Sequence, residues 1–569
     1  LIGRDEVLLK SNNEWLHFTN PHHIISAVRL PDVRGALQEI ERLVNSNQWH
    51  AAGFVSYEAA PAFDDILRVK SADDFPLLWF GLYPAPRSVK LPLPNKKMPA
   101  LNWQSGIERK SYNAAIEKIK EYIAQGKTYQ VNYTMRLNSE FHGDEWDLFL
   151  NLAQTQNKYA AYIDTGRYVI CSASPELFFK LNGNRIYSNP MKGTAKRGRT
   201  TGEDQEQADW LHHSIKNRAE NVMIVDMIRN DLGRIAEIGS VQAPELFTVE
   251  KYPTLFQMTS TVQAKTDASL DEIFSALFPC ASITGAPKVS TMNFIAELET
   301  TPRKVYTGSI GRISPNRKAQ FSVAIRTALI DRESNQAEYG VGGGIVWDST
   351  SADEYSEALL KARVLTEPPQ EIFLIETLLW TAEDGYFLRE KHIERMCDSA
   401  QYFGFEFSRE KLEDRLIQMA KEFTSPQRVR ILASRSGEIR SEIKSFHSEE
   451  KLFKVCLAED PIDSSNVLFF HKTTRRDIYP IRQGYDDVLL FNEKNELTEF
   501  TIGNLVAETN GQLFTPPVSC GLLAGTFRAH LLESGRIKER VIRKDELGNY
   551  SRLFLVNSVR KWVDVRLNN

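Results

Sequence analysis

The chain has little of what would mark it for an unusual environment. Its 569 residues include only five cysteines (Cys171, Cys280, Cys397, Cys456 and Cys520), odd in number, widely spaced and without a C-x-x-C pair. That argues against a disulfide framework or a zinc site and fits a reducing cytosol. No charge of one sign prevails: the formal net charge is −4, so neither nucleic acid nor an anionic membrane is an expected partner. No apolar run approaches the about 20 residues of a membrane span. The opening Leu-Ile-Gly-Arg-Asp has no basic stretch leading into an apolar one, so no signal peptide is expected and a cytoplasmic location is. Internal repeats and low-complexity segments are also missing. The least globular stretch is Pro92–Pro99, which reads as a loop leaving an N-terminal subdomain.

What is there is globular. A hydrophobic share of 42% and a charged share of 25% are ordinary for a folded protein, and the length calls for two or three domains. Thr-Glu-Pro-Pro-Gln at 366–370 ends a helical stretch, because paired prolines cannot continue it. The expected division is a first domain at 1–365, with a subdomain at about 1–95, the linker 366–370, and a second domain at 371–569. Upstream, strand-like runs (168–172, 320–329, 337–346) alternate with amphipathic helices (112–124, 210–228, 270–277), which predicts a large mixed α/β or α+β domain.

Several positions carry chemistry. Lys192 follows a strand-like run at 184–187 and opens a predicted loop, Met-Lys-Gly-Thr; a lysine becomes a nucleophile when desolvation or charge lowers its pKa. Glu176 directly follows a proline and opens a predicted strand at 177–180. Glu220 lies in a helical pattern, and Glu354 and Glu357 share one helix face with Lys361 a turn on. Arg326, in a predicted strand at 321–329, offers a planar fork for a carboxylate. Gly340–Gly344 reads as a tight strand with a bulge and is not a dinucleotide loop, since the G-x-G-x-x-G spacing is absent.

Eight fragments in order carry a resemblance from about Lys110 to Ala362: Gly-Lys-Thr-Tyr-Gln-Val-Asn (126–132), Ser-Pro-Glu (174–176), Met-Lys-Gly-Thr (191–194), the run 219–232, Ile-Thr-Gly-Ala-Pro-Lys (283–288), Ile-Arg-Thr (325–327), Gly-Val-Gly-Gly-Gly-Ile-Val (340–346) and Asp-Glu-Tyr-Ser-Glu-Ala (353–358). Together they resemble the chorismate-utilising enzymes, whose fold is a large two-sheet α/β domain. Lys rather than Ala at 192 marks the aminodeoxychorismate synthases within that group. The resemblance implies that Lys192 attacks C2 of chorismate while Glu176 protonates the departing C4 hydroxyl, after which ammonia adds at C4 and expels the lysine. It implies Mg²⁺ on Glu220 and Glu357, with Glu354 through water. Substrate contacts follow at Thr194, Thr284, Gly285, Ala286, Tyr306, Arg326, Gly342, Gly343 and Lys361.

A second series begins at Ile375-Glu376-Thr377 and runs through His392-Ile-Glu-Arg395, His471-Lys472, Thr498-Glu499 to Asn504, Gly525-Thr526 and Asn557-Ser558. It resembles the fold-type IV pyridoxal-phosphate enzymes, which include aminotransferases of branched-chain and D-amino acids and aminodeoxychorismate lyase. A cofactor of this kind needs a lysine to hold it, a carboxylate on its ring nitrogen and a phosphate cup. The resemblance puts Lys472 and Glu499 in the first two roles and Arg395, Gly525, Thr526 and Ser558 around the phosphate.

The pattern also departs from both families. Gln257 stands where the first often has histidine, no glutaminase-type cysteine is found, and the second domain is a trimmed version that starts at the tail of its usual opening segment. The expected activity is amination of chorismate with ammonia from a separate glutamine amidotransferase subunit, then pyruvate elimination to 4-aminobenzoate for folate synthesis. A homodimer through the second domain is a further expectation. The alternatives are a synthase joined to an amino-acid aminotransferase, and a second domain that only docks partners.

Overall fold

The structure is a computed structural model and describes residues 2–11, 14–92, 101–154, 158–365, 372–447 and 452–568. The expected linker 366–370, and all of the 92–99 stretch except Pro92, lie outside the described residues. The chain divides into two compact units: Leu1–Ala195 with Trp210–Pro369, and Lys196–Asp209 with Gln370–Asn569. A segment inside the first expected domain thus belongs to the second unit. No described helix is long and apolar enough to cross a membrane.

Two ten-stranded sheets build the first unit, each with nine strands in a row and a tenth off it: Gln104–Ser105 on Gln130–Glu140, and Gln242–Lys251 on Leu255–Lys265. One runs in the order Gly285–Ala286, Gln130–Glu140, Gln336–Ile345, Thr327–Asp331, Tyr168–Ser174, Tyr159–Asp164, Val7–Ser11, Glu14–Phe18 and Arg87–Val89. The other runs Met191–Lys196, Leu255–Lys265, Arg185–Asn189, Leu177–Asn182, Lys318–Val323, Ser309–Ser314, His50–Val55, Leu78–Tyr83 and His23–Ala27. Alternation along a strand sends successive side chains to opposite faces. Val7 and Leu9 accordingly join one core with the second sheet and helices Leu30–Asn47 and Leu270–Leu277. Leu8 joins the other core, with helices Arg109–Ala124 and Glu145–Ala153. Burial on both faces explains why these strands read as near-continuous apolar runs. Local signals fix the helix starts: Ser269 and Glu272 close a reciprocal capping box.

Four expectations are corrected. The predicted helix 210–228 is two helices, Thr201–His213 and Ile215–Gly233, parted at Ser214, whose hydroxyl caps the second. The predicted strand 320–329 is broken, because the chain crosses from one sheet to the other at 324–326 and Arg326 takes a φ of 51°. The Lys192 segment is an edge strand, Met191–Lys196, rather than a loop. Gly340–Gly344 pairs with Asn132–Arg136 in unbroken register, so it carries no bulge.

The second unit holds a four-stranded sheet (Gly385–Tyr386, Leu374–Thr381, Gln427–Ala433, Ile439–Ser445) and an eight-stranded one. Helices Arg389–Phe403 and Arg409–Ala420 bury Ile393, Met396, Leu412 and Leu416 against the smaller sheet. Phe453–Leu457 lies parallel to both Asp487–Phe491 and Lys561–Leu567 at the centre of the larger one. The apolar run Val467–Phe470 before Lys472, whose pattern predicts a strand, forms a 3₁₀ turn at Val467–Phe469 instead.

Candidate active sites

The first site forms where the chain passes between the two sheets. Glu176 lies on one crossing and Arg326 on another, and backbone bonds tie them: Ala173 N–H donates to the Arg326 carbonyl (3.0 Å) and Val323 N–H to the Glu176 carbonyl (3.1 Å). Glu176 is buried, and its Oε1 accepts a 2.6 Å bond from the Ser282 hydroxyl. Burial pushes its carboxyl up to about 7, against the opposing pull of Ser282 and of the Lys192 charge. The proton is therefore retained close to neutrality.

Lys192 responds in the opposite sense. Burial lowers its pKa; Glu220, Glu176 and Glu354 work against that and Lys361 works with it. The surrounding backbone is held firmly. Gln257 Nε2 donates to the Gly193 carbonyl (2.9 Å), Asn221 Nδ2 to the Lys192 carbonyl (3.3 Å), and the Ser260 hydroxyl to Asn221 Oδ1 (2.5 Å). Gln257, the departure from the family pattern, thus braces the lysine strand. Gly344 faces the lysine from the other sheet. A Cβ there would come within 2.6 Å of Gln130 Nε2 and 2.9 Å of Lys192 Nζ, so only glycine leaves the amine its place. Gln130 itself is fully buried, and among the described residues neither end of its amide has a hydrogen-bond partner.

Glu354 and Glu357 share a helix with Lys361, whose ammonium reaches Glu357 Oε1 (2.8 Å) and the Gly342 carbonyl (2.9 Å). Burial raises the Glu354 carboxyl; its Ser349 hydrogen bond opposes this and the Glu357 charge adds to it. Among the described residues no three His, Cys, Asp or Glu side chains group closely enough to hold a metal. The three glutamates singled out by the sequence are therefore not assembled into a cage. They do fit Mg²⁺ in its usual manner, held by one or two carboxylates with the rest water or substrate, and such a cation would relieve the repulsion at Glu354.

Of the remaining expected contacts, Gly342 and Gly343 lie beside Lys361 and Glu354. Thr284 is buried with its hydroxyl turned back to the Cys280 and Ala281 carbonyls, and its N–H donates to Ala281. Gly285 and Ala286 pair with Val131 and Gln130. The Tyr306 ring packs against Gly340 and under the Arg136 guanidinium (5.1 Å), and burial pushes its phenol up to about 12. Gly342 sits opposite Thr134, Gly343 opposite Tyr133, and Thr194 is exposed on the lysine strand. Ser282 and Gln130 were not singled out by the sequence. Gln130 had a signal, a polar residue in the alternating strand Gln-Val-Asn-Tyr; Ser282 had none, because its partner is 106 positions away.

The second site is a cavity of about 310 Å³ whose lining includes Arg395, Lys472, Glu499, Gly525, Thr526 and Ser558. Lys472 is brought down to about 8, first by burial and then by the charges of Arg395 and Arg476, with Glu376 and Glu499 opposing. Burial pushes Glu499 up to about 8, although the Leu523 N–H, the Tyr479 hydroxyl (3.3 Å), Lys472 and Arg476 pull it down. Asn504 Nδ2 donates to Glu499 Oε2 (3.1 Å). Gly525 packs so closely on the Asn504 amide that no Cβ fits, and helix Thr526–Glu533 starts beside it. Ser558 Oγ donates to the Thr377 carbonyl (3.4 Å).

Behind the cavity is a buried ionic triad. Arg395 makes two 2.7 Å bonds to Glu376, and His392 Nδ1–H donates to the same carboxylate (2.6 Å). Burial would raise Glu376, but Arg395 and then His392 override it and hold it at about 2. Burial also lowers His392, so its neutral ring accepts from Thr526 Oγ1 (3.2 Å) through Nε2. The sequence had quoted Glu376 and His392 without a role; here they fix Arg395. A deprotonatable lysine, a buried carboxyl that makes no ion pair among the described residues, and a glycine turn leading into a helix are a donor set that fits pyridoxal phosphate.

Comparison with known proteins finds two families along the chain. The chorismate binding enzyme family matches residues 6–367, and the amino-transferase class IV family matches residues 374–567. Aminodeoxychorismate synthase component 1 of Escherichia coli (strain K12) is 40% identical over 270 residues, 47% of this chain and 59% of that protein. Its Bacillus subtilis (strain 168) namesake is 38% identical over 288 residues, 50% of this chain and 60% of that protein. Each match thus spans about three-fifths of the curated relative. Anthranilate synthase component I from Streptococcus pneumoniae TIGR4 shares the fold, with a TM-score of 0.55 and 24% identity over 64% of this chain and 93% of that one.

Proposed function

Because the chain belongs to the chorismate binding enzyme family and carries a class IV aminotransferase-type second region, we propose that it aminates chorismate at C4 and then eliminates pyruvate from the product, leaving 4-aminobenzoate. The observation that carries this reading is the opposite tuning of half-buried Lys192 and buried Glu176, each influenced by the other's charge, in which desolvation moves the two pKa values toward each other. Such opposite tuning suits a nucleophile and an acid acting together.

In the first unit neutral Lys192 Nζ bonds to C2, the electron pair shifts across the ring diene, and the C4–O bond breaks. Glu176 supplies the proton with which the hydroxyl leaves as water. Ammonia then bonds to C4, the electrons return, the C2–N bond breaks to free the lysine, and a solvent proton restores Glu176. Gln257 and Asn221 hold the lysine strand against recoil, and Ser282 keeps the Glu176 carboxyl aimed. Glu220 and Glu357, with Glu354 through water, would hold Mg²⁺, which supplies positive charge for a substrate carboxylate. Arg326, on the crossing next to that of Glu176, provides a further cation.

Ammonia is taken to come from a separate glutamine amidotransferase. Among the described cysteines, burial raises the thiols of Cys171, Cys280, Cys397 and Cys520, which is opposite to what a glutaminase nucleophile needs. In the second unit Lys472 would hold pyridoxal phosphate, which supplies an electron sink beside the amino-bearing carbon. Glu499 would pair with its ring nitrogen, and Lys472, once displaced by substrate, would move the proton. Incubating the full chain with chorismate, Mg²⁺, ammonium and pyridoxal phosphate tests the proposal. Aminodeoxychorismate, then pyruvate and 4-aminobenzoate, are expected; anthranilate or unreacted chorismate would overturn it.

A further inference from the structure

The cavity of the second unit is more cationic than coenzyme anchoring requires. Strand Gln427–Ala433 buries Val429 and Ile431 completely. Alternation turns Arg428 and Arg430 to the opposite face, where both line the cavity. Arg430 is opposite Thr377 on one neighbouring strand and Glu442 on the other, and its Nη1 reaches Glu442 Oε2 only at 3.4 Å. Arg428 is opposite Leu379 and Lys444. Like charges directly across a ladder repel, and among the described residues Arg428 makes no ion pair with an acid. Of the other lining arginines, Arg395 is clamped on Glu376, Arg476 stacks on Tyr479 (3.9 Å) and donates to the Thr501 carbonyl, and Arg560 lies over the Phe453 ring (5.7 Å).

A wall with two half-buried guanidiniums and one distant acidic contact is complete only when an anion lies against it. The planar fork of each group matches a carboxylate in two-point geometry. An apolar substrate side chain at the same wall would take water from both groups and return nothing. We propose that Arg428 and Arg430 form a carboxylate-binding wall that selects substrates with two carboxylate groups over amino acids with apolar side chains. This rests on the lyase reading of the cavity, whose substrate carries one carboxylate on the ring and one on the enolpyruvyl arm.

The test uses the full chain loaded with pyridoxal phosphate and three variants, Arg428→Ala, Arg430→Ala and both together. Visible absorbance of the bound coenzyme is expected to stay unchanged. Calorimetric titration compares benzene-1,3-dicarboxylate with benzoate as probes. Wild type should prefer the dicarboxylate by about tenfold or more, and the double variant should lose that preference. KM for aminodeoxychorismate should rise in each single variant more than kcat falls. If an alanine variant fails to hold coenzyme, glutamine at the same position keeps the length without the charge and is titrated instead. Wild type that releases pyruvate, with an unchanged probe preference and KM in the variants, overturns the wall and leaves the lyase reading intact. Wild type that releases no pyruvate but shows an arginine-dependent preference keeps the wall and removes that reading.

Discussion

A glutamic acid that keeps its proton near neutrality beside a lysine that gives its own up early is an uncommon arrangement, and it makes a pH prediction. Glu176 must be protonated to donate, and its pKa is about 7. Ammonia-driven turnover should therefore decline as pH rises through about 7, once corrected for the ammonium equilibrium. Glu176→Gln should lose roughly 10²–10⁴-fold in turnover and show no such decline; a variant with wild-type rate would remove the acid role. Folding responds in the same sense. The folded state holds this proton more tightly than the unfolded chain does, so the contribution of Glu176 to stability falls as pH rises from 4.5 to about 7. Lys192→Ala should end amination at C4 while the protein still binds chorismate, with the products separated by chromatography. Both residues were legible in the sequence through short motifs. Ser282 was not, because its role is set by a partner 106 positions away that only the fold supplies.

At the scale of the element, the neighbours of strand Met191–Lys196 and the strand carrying Glu376 give three further expectations. Gly344→Ala forces Gln130 and Lys192 apart and should lower C4 amination by an order of magnitude or more without lowering the melting temperature of the second unit. Gln257→Ala should have a smaller effect in the same direction. Glu376→Ala leaves Arg395 buried without its carboxylate, a loss of about 3–5 kcal/mol for a broken buried pair. Calorimetry should show that loss in the second unit, with weaker coenzyme retention. Glu376 has its pKa held down at about 2, so it stabilises fully above 4.5 and that contribution fades as pH falls from there toward 2. The lysine segment read as a loop because an edge strand of few residues has almost no pattern of its own; its pairing with Leu255–Lys265 is set by residues some sixty positions away. The broken strand at Arg326 was hidden for a related reason. A crossing between two buried sheets is as apolar as the strands on either side.

For the whole molecule, each unit has its own cores, and the two proposed reactions use different lysines. Lys472→Ala should stop conversion at aminodeoxychorismate and leave C4 amination at the wild-type rate. Pyruvate release measured beside chorismate consumption decides this, and a parallel loss of both would show that the units are not independent. The purified chain should accept ammonium but not glutamine until a separate amidotransferase is added. The segment Lys196–Asp209 belongs to the second unit, and its anchor is specific: Arg197 is buried against Asp204 (2.6 Å) and lies over the Tyr402 ring (4.3 Å). The sequence marks it only by a short basic run, Lys196-Arg197-Gly198-Arg199, with no paired prolines of the kind at 368–369.

The sequence alone determined the two families, their order along the chain, and the lysines, acids and arginines on which the chemistry is expected to rest. Those are properties of residue type and short spacing, which survive without coordinates. Only the tertiary structure decided that Glu176 and Arg326 lie on neighbouring crossings, that Gln257 and Asn221 hold the lysine strand, and that Arg428 and Arg430 turn to the cavity rather than to solvent. Each depends on which distant backbone lies alongside. Burial, too, is a property of that packing, and burial is the largest single influence on the pKa values of Glu176, Lys192 and Lys472.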